Sequence, residues 1–400
     1  MTTKPGGPTV EFSLSWLLQP LTVDAFLEDI WEARPYHIKR SRADYFDRLL
    51  PGPSAVDDLL EHVRPEPSAV RLVRNGADKD PDTYRLADGS LALARVADGL
   101  ADGYTIVLNG LERYVRAIAS LSHSIEVELN FPTRVNGYVT PPGSTGFVPH
   151  YDPHDVLVLQ IHGSKTWHVS NDATVPPHEM ERRKGVGPAG SAPPTDVRLE
   201  AGDVLYLPRG QVHSAETHAE PSVHLTVGIH APTVLTLTTH LLYALSLRDP
   251  RVHDRLPPRH LDDANVRAGL GDLVRDTLRT VGDPSVVADG LAAMEDVLVR
   301  RGRCPPVGSV SDTVGIDGQT RVAKHQPLYS RVRRVADGVV LQFAQLSVRA
   351  GPDHEAALLF LSSSSAPFRV GDLPGLSAAQ QADLARTLIL NGFLVRLSDD

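Results

Sequence analysis

What this 400-residue chain lacks narrows its class before any motif is considered. Its single cysteine, Cys304, cannot close an intramolecular disulfide. That fits a reducing compartment and removes a cysteine-rich zinc site from consideration. No apolar run approaches the roughly 20 residues that a membrane helix requires. The N-terminus lacks the basic-then-apolar pattern of a secretory leader, so the expectation is a cytoplasmic protein with no membrane partner. A basic surplus is missing too: the net charge is −9. A general nucleic-acid binder needs a basic footprint to displace counterions, so no direct nucleic-acid binding is expected. Lysine is scarce, six of the forty Lys and Arg residues, which makes each lysine more informative. No internal repeat or low-complexity tract is present.

Against these absences stand 41% hydrophobic and 22% charged residues, ordinary proportions for a globular protein. The length exceeds what one small core organises, so two or three domains are expected. The 32 prolines and 31 glycines call for many loops, as all-β modules with long connections would have.

Thr22 can cap a short helix with Phe26, Leu27, Ile30 and Trp31 on one face, and a second helix follows Ser54 with Val56, Leu59, Leu60 and Val63 at helical spacing. From Tyr104 the pattern turns to strands: Thr105 to Leu108, Ile125 to Leu129, Asn136 to Thr140, Val156 to Ile161, Asp203 to Leu207 and Val223 to Ile229. The proline-rich segment 171–198, with Glu181-Arg182-Arg183-Lys184, reads as a long loop leaving the strand-patterned region, either a solvated insertion or a substrate-facing lid. After Pro232 the pattern is helical, over Leu235 to Leu247, Val266 to Leu278 and from Asp283-Pro284 to about Arg300. Cys304-Pro305-Pro306 marks a boundary. Beyond it, Ser377 and Gln380 form a capping box for a helix carrying Leu384, Leu388 and Ile389; Asn391-Gly392 then leads into a strand over Phe393 to Leu397. Helix, tight turn and strand suggest a winged-helix-like unit. Packing or dimer support is the plainer role for it, because Arg331, Arg333 and Arg334 read as a solvated strand face.

The chemistry concentrates in Pro149-His150-Tyr151-Asp152-Pro153-His154-Asp155, which runs into the apolar strand Val156-Leu157-Val158-Leu159. Residues two apart in a strand share a face, so His150 and Asp152 converge. A second histidine from a distant strand would complete a two-histidine, one-carboxylate set on a divalent metal, with open positions for co-substrates. Gly202-Asp203-Val204-Leu205-Tyr206-Leu207-Pro208-Arg209-Gly210-Gln211-Val212-His213 supplies it: a turn, a strand and a bend that deliver His213. His224 is the competing choice for that third ligand. His154 belongs to the rim or stands behind the ligands, and His218 to a loop. Lys165 follows the turn His162-Gly163-Ser164 on a strand whose Trp167 and Val169 face the same way. Buried in such a barrel, a lysine would need an anion, and the distal carboxylate of 2-oxoglutarate would serve. An exposed hairpin lysine is the plainer alternative.

The stretch Asn136-Gly137-Tyr138-Val139-Thr140-Pro141-Pro142-Gly143-Ser144-Thr145-Gly146-Phe147-Val148-Pro149-His150-Tyr151-Asp152, with the later Gly163-Ser164-Lys165-Thr166-Trp167, resembles the JmjC/cupin-4 ribosomal oxygenases. The resemblance is strongest from about Gly103 to Ile229. It implies a mainly β fold with α: a double-stranded β-helix (the JmjC/cupin barrel) with N-terminal helices over 1–231, a helical dimerisation region over 232–304, and a winged-helix-like domain over 305–400. It implies a homodimer, Fe(II) held by His150, Asp152 and His213, 2-oxoglutarate clamped by Lys165, and O2 as oxidant. The substrate would be a protein, with a ribosomal protein first in line, hydroxylated on arginine or histidine. Asn136 and Tyr138 match family positions that contact the substrate residue. One departure is notable: a serine found in histidine-hydroxylating members aligns with Gly228, which weakens the transfer of histidine as the target. The alternatives are the same chemistry on a small molecule or peptide natural product, and a non-catalytic metal-binding cupin module.

Overall fold

The computed structural model of the chain describes residues 12–51, 54–172, 185–186, 193–302 and 310–397. These divide into two compact units, residues 1–231 and 232–400.

The first unit is a mixed α/β body around two antiparallel sheets. Its strands are β1 (Tyr36–Ile38), β2 (Val70–Arg74), β3 (Ala77–Asp78), β4 (Thr105–Leu108), β5 (Thr133–Thr140), β6 (His150–Tyr151), β7 (Asp155–His162), β8 (Ser164–Val169), β9 (Gly185–Val186), β10 (Thr195–Glu200), β11 (Val204–Leu207), β12 (His213–Glu216) and β13 (Ser222–Ile229). Eight form one sheet in the order β1-β11-β7-β13-β5-β4-β2-β3; five form the other as β10-β8-β12-β6-β9. Helices α1 (Leu14–Leu18), α2 (Val23–Asp29), α3 (Ser54–His62), α4 (Leu93–Ala101) and α5 (Arg116–Leu129) accompany them.

Strand parity builds both the core and the cleft. Along β7, Leu157, Leu159 and Ile161 join the large core shared with α1, α2, α3 and α5. Val156 and Val158, on the opposite face, pack with Trp167, Val169, Leu199, Leu205 and Leu207 in the space between the two sheets. Both faces of β7 are therefore apolar, as expected for a strand covered on both sides. In β13 the odd residues Val223, Leu225, Val227 and Ile229 enter the large core, which leaves His224, Thr226 and Gly228 to line the cleft. The partner strand β5 repeats the rule: Val135 is core, while Arg134, Asn136 and Tyr138 line the cleft.

Two glycines are required by close approach. Gly163 turns β7 into β8 at φ +65°, and a Cβ there would lie 2.0 Å from the Pro221 carbonyl oxygen. Gly202 precedes β11 at φ +95°, with the Arg42 carbonyl 2.1 Å from where its Cβ would be. Only glycine combines that backbone conformation with that absence of bulk.

Several sequence expectations change. The segment from Ile125 to Leu129 alternates apolar and polar residues and reads as a strand, yet it forms the last turn and a half of α5. The wider spacing of Ile118, Leu121 and Ile125 governs, and Asn130 ends the helix in the left-handed conformation at φ +58°. In α2, capped by Thr22 as the sequence suggests, Phe26 is buried but Leu27 is 40% exposed. The 171–198 loop is shorter than read, because Thr195–Glu200 pairs with β8. Its charged patch, Glu181 to Lys184, lies outside the described residues, as does Cys304-Pro305-Pro306.

The second unit holds α6 (Val234–Ser246), α7 (Ala264–Val281) and α8 (Pro284–Arg301), with Leu241, Leu245, Val281 and Val286 packed together. Its remaining elements are β14 (Arg321–Lys324), β15 (Ser330–Val335), β16 (Gly338–Phe343), β17 (Leu346–Ala350), α9 (Glu355–Ser363), β18 (Phe368–Arg369), α10 (Ala378–Leu390) and β19 (Leu394–Arg396). They form two three-stranded sheets, β18-β14-β19 and β15-β16-β17. The capping box of Ser377 and Gln380 starts α10, and Leu384, Leu388 and Ile389 are buried. Arg331 departs from expectation. Its guanidinium is buried against α8, bonded to Asp296 and the Ala292 carbonyl and to Gln342 Oε1 at 2.9 Å, while Arg333 and Arg334 are exposed.

Candidate metal centre

His150 and His213 stand directly opposite each other in the β6–β12 ladder, with ring centroids 4.5 Å apart. Asp152 lies just past the end of β6, and its Oδ2 is 3.8 Å from His213 Nε2. One donor atom from each of the three lies within 4.8 Å of the others, and all three residues are buried. The tautomers suit a metal. His150 Nδ1–H donates to the Val148 carbonyl at 2.8 Å and His213 Nδ1–H to the Gln211 carbonyl at 2.9 Å. Those bonds make Nε2 the lone-pair nitrogen of each ring and fix both ring orientations.

The chain reaches this geometry through main-chain ties. Gly210 N–H donates to the Asp152 carbonyl at 2.8 Å, joining the bend before His213 to the segment that carries the carboxylate. Asp155, fully buried at the start of β7, accepts from Tyr206 Oη at 2.6 Å and from Arg209 N–H at 3.4 Å, and Tyr206 Oη accepts from Glu32 N–H at 2.9 Å. Burial pushes the Asp155 carboxyl above the usual range, against the lowering by the Tyr206 hydrogen bond.

The three donors open onto a cleft of about 240 Å³. Lys165 lines it, 4% exposed, and donates from Nζ to Thr140 Oγ1 at 2.9 Å; Thr140 in turn accepts from Thr105 Oγ1 at 3.2 Å. Burial alone lowers its pKa to about 7, and among the described residues no carboxylate pairs with it. The ammonium is thus buried, with a hydroxyl partner and no carboxylate partner among the described residues. Tyr138 stacks on His224 at 4.7 Å, and Trp167 meets His224 edge-on at 5.5 Å. Asn136 Oδ1 accepts from Gly110 N–H at 3.0 Å while the residue lines the cleft.

The structure brings His150, Asp152, His213, Lys165, Asn136 and Tyr138 into one cleft. His224 lines that cleft too, stacked on Tyr138 rather than grouped with the three donors. His154 stands at its wall, and His218 is an exposed loop residue bonded to Thr166. Sequence reasoning missed Thr105, Arg134 and His230 as cleft residues. Strand parity could have found Arg134, two residues before Asn136; Thr105, brought in from β4, carries no such signal.

Residues 114–237 match the family described as the JmjC domain. The chain is 29% identical over 275 residues to a protein of Drosophila mojavensis named bifunctional lysine-specific demethylase and histidyl-hydroxylase NO66, covering 64% of this chain and 28% of the relative. It is 26% identical over 292 residues to ribosomal oxygenase 2 of Mus musculus, covering 67% of this chain and 59% of that protein. The chain thus spans about a third of the length of the insect relatives it matches. Among solved structures it is similar to Escherichia coli ycfD, with TM-score 0.56 and 18% identity over 94% of this chain and 98% of that one. A structure of the ribosomal oxygenase YcfD in complex with cobalt and 2-oxoglutarate gives TM-score 0.54 and 19% identity, covering 95% and 99%. The resemblance read from the sequence is borne out, and the fold is shared along nearly the whole chain.

Proposed function

We propose that this chain is an Fe(II)- and 2-oxoglutarate-dependent oxygenase that hydroxylates a protein side chain. A ribosomal protein is the leading substrate, with arginine or histidine as the residue modified. One observation carries the reading: two imidazoles and a carboxylate converge in the same cleft as a buried lysine with no carboxylate partner among the described residues. The cobalt and 2-oxoglutarate in the YcfD complex and the names of the relatives support it.

The donor set fits the ion. Two neutral imidazoles with one carboxylate suit a divalent first-row metal, and three side-chain ligands leave positions open for co-substrates. His150, Asp152 and His213 would hold it. When bound, iron with 2-oxoglutarate and O2 would supply hydroxylation of a C–H bond, with succinate and CO2 as co-products. Lys165 would pair with the distal carboxylate and so orient the co-substrate; burial strengthens that pair and makes loss of either partner costly. Trp167 and Val156 line the cleft with apolar surface and limit water, and Asn136 and Tyr138 would hold the substrate residue.

In the second unit we assign residues 232–304 to homodimerisation and 305–400 to a winged-helix-like domain. Large apolar side chains exposed on α6 and α7, among them Leu235, Tyr243, Leu273, Val274 and Leu278, support a partnered surface. We place the protein in the cytoplasm without nucleic-acid binding, in keeping with its net charge of −9.

The test is succinate formation from 2-oxoglutarate by purified protein with Fe(II) and ascorbate, beside a His150→Ala/Asp152→Ala control and a direct titration of 2-oxoglutarate. Turnover or binding in the parent and not in the control is the expected result. A metal-loaded parent that neither turns over nor binds 2-oxoglutarate sinks the oxygenase reading. Oxygen-addition mass shifts on ribosomal proteins would then identify the substrate.

A further inference from the structure

The eight-stranded sheet ends in the pair β2–β3. Its register, Val73↔Asp78 and Arg74↔Ala77, leaves Asn75 and Gly76 as a two-residue turn. Both are left-handed, at φ +52° and +79°, as the tightest hairpin turns require, and Asn-Gly is the pair best suited to them. The main-chain N–H groups of those two positions are not used inside such a turn. Here both are taken by one neighbouring segment: Asn75 N–H donates to the Thr145 carbonyl at 3.1 Å and Gly76 N–H to the Gly146 carbonyl at 2.9 Å. Val148 also lies against the tip. A Cβ built at Gly76 would stand 3.3 Å from Val148 Cγ2 and 3.7 Å from the Val148 main-chain nitrogen.

The segment held in this way leads directly to the metal donors. The Val148 carbonyl accepts from His150 Nδ1–H at 2.8 Å and so sets the orientation of that imidazole. Phe147 lines the cleft with its ring 5.5 Å from that of His150. Its support again comes from β2: Val73, fully buried, joins Val107 and Tyr138 in the small cluster on which Phe147 packs.

On its other side the segment is tied next to the second histidine. Thr217 N–H donates to the Ser144 carbonyl at 3.1 Å, and Thr145 bridges to Glu216 on β12, the strand that begins at His213. Apart from that bridge, residues 144–148 have no helix or strand of their own. They are strung between β12 and the hairpin tip, and without the tip they would be anchored along one side only. The groups that hold a ligand imidazole from behind govern metal affinity, typically by about 10- to 100-fold.

We infer that Asn75 and Gly76 are positioning residues for the metal centre: by holding Thr145, Gly146 and Val148, the hairpin tip fixes the carbonyl that aims His150 and the Phe147 wall beside it. The inference rests on the metal-binding part of the oxygenase reading.

The test is a Mn(II) titration of the full chain by electron paramagnetic resonance, with thermal unfolding and the visible spectrum of the Co(II) form beside it. Gly76→Ala places a Cβ against Val148. Gly89→Ala is the control, at nearly the same left-handed conformation, φ +84°, with nothing within 4 Å of the new Cβ. The two variants should lose similar stability, because both pay the same backbone strain. Mn(II) affinity should fall at least about fivefold in Gly76→Ala and less than about twofold in Gly89→Ala. The Co(II) bands should shift in Gly76→Ala alone. Val148→Ala, at a side chain 42% exposed, removes the same contact from the other side without touching the core. Once it is made, adding Gly76→Ala should cost less than about a further twofold. Equal affinities and spectra in Gly76→Ala and Gly89→Ala overturn the inference, as do losses that simply multiply in the double variant. A parent that holds no Mn(II) overturns the metal centre itself, so the two failures are told apart.

Discussion

Replacing Lys165 with methionine should make the ligand-free protein more stable and nearly unable to bind 2-oxoglutarate. The ammonium sits 4% exposed with one hydroxyl partner, and burial lowers its pKa from 10.5 to about 7. At about 1.4 kcal/mol per tenfold change, that displacement amounts to roughly 5 kcal/mol set against folding. The sign follows from the proton count. Well below pH 7 the lysine is charged in both folded and unfolded chains, and the penalty is complete. Between pH 7 and about 10.5 the unfolded chain binds more protons, so stability of the ligand-free protein rises with pH. Relaxation and water entry reduce the penalty, so Lys165→Met should gain about 1–3 kcal/mol at pH 7, or roughly 3–10 °C in Tm. Binding moves the other way. Removing one partner of a buried ion pair costs about 3–5 kcal/mol, a loss of about 150- to 4000-fold in affinity for 2-oxoglutarate. Calorimetry on the Mn(II)-loaded protein and differential scanning fluorimetry read both effects, with Mn(II) affinity itself unchanged. Parent affinity should fall up to about tenfold per pH unit above pH 7, since binding takes up a proton, while the variant stays flat. A variant that binds 2-oxoglutarate within about threefold of the parent would falsify the pairing.

Other outcomes follow from the same structure. Asp152→Ala should reduce Mn(II) affinity by at least about 100-fold with little change in Tm, read by electron paramagnetic resonance titration; retained affinity would move the metal elsewhere. Gly163→Ala forces a Cβ into the Pro221 carbonyl at a left-handed backbone position and should lower stability by about 2–4 kcal/mol, measured by urea unfolding. Arg331→Met removes the bonds to Asp296, to the Ala292 carbonyl and to Gln342 and should destabilise the second unit by about 1–3 kcal/mol, since the partly exposed Asp296 keeps water and Arg300. Limited proteolysis within residues 232–400 checks it, and an unchanged cleavage rate would show the contact to be dispensable.

Much of this architecture was legible because strands announce themselves by parity. The alternation in β5 and β13 sorts valines and leucines into the core and Arg134, Asn136, Tyr138 and His224 into the cleft. The run from Gly202 to His213 carries its turn, strand and bend in order. Alternation misleads in a short window, as at Ile125 to Leu129. There the pattern is an accident of a helix whose buried Glu126 accepts from the Thr133 N–H at 2.9 Å and meets the His123 ring at 3.0 Å. A buried charge is equally opaque from sequence. Arg331 looks solvated until α8, more than thirty residues away, brings Asp296 to it. Contacts between distant segments decide burial, and no local pattern encodes them.

The pairing of β5 with β13 sets the reading frame of the cleft as well as of the core. A slip of one residue would turn Arg134, Asn136, Tyr138, His224 and Thr226 inward and push Val135, Val139, Leu225 and Val227 into the cleft. Folding in the wrong register and assembling the wrong active surface are then a single error. The apolar partners that forbid the slip guard the chemistry from the opposite side of the sheet, where no substrate ever reaches them.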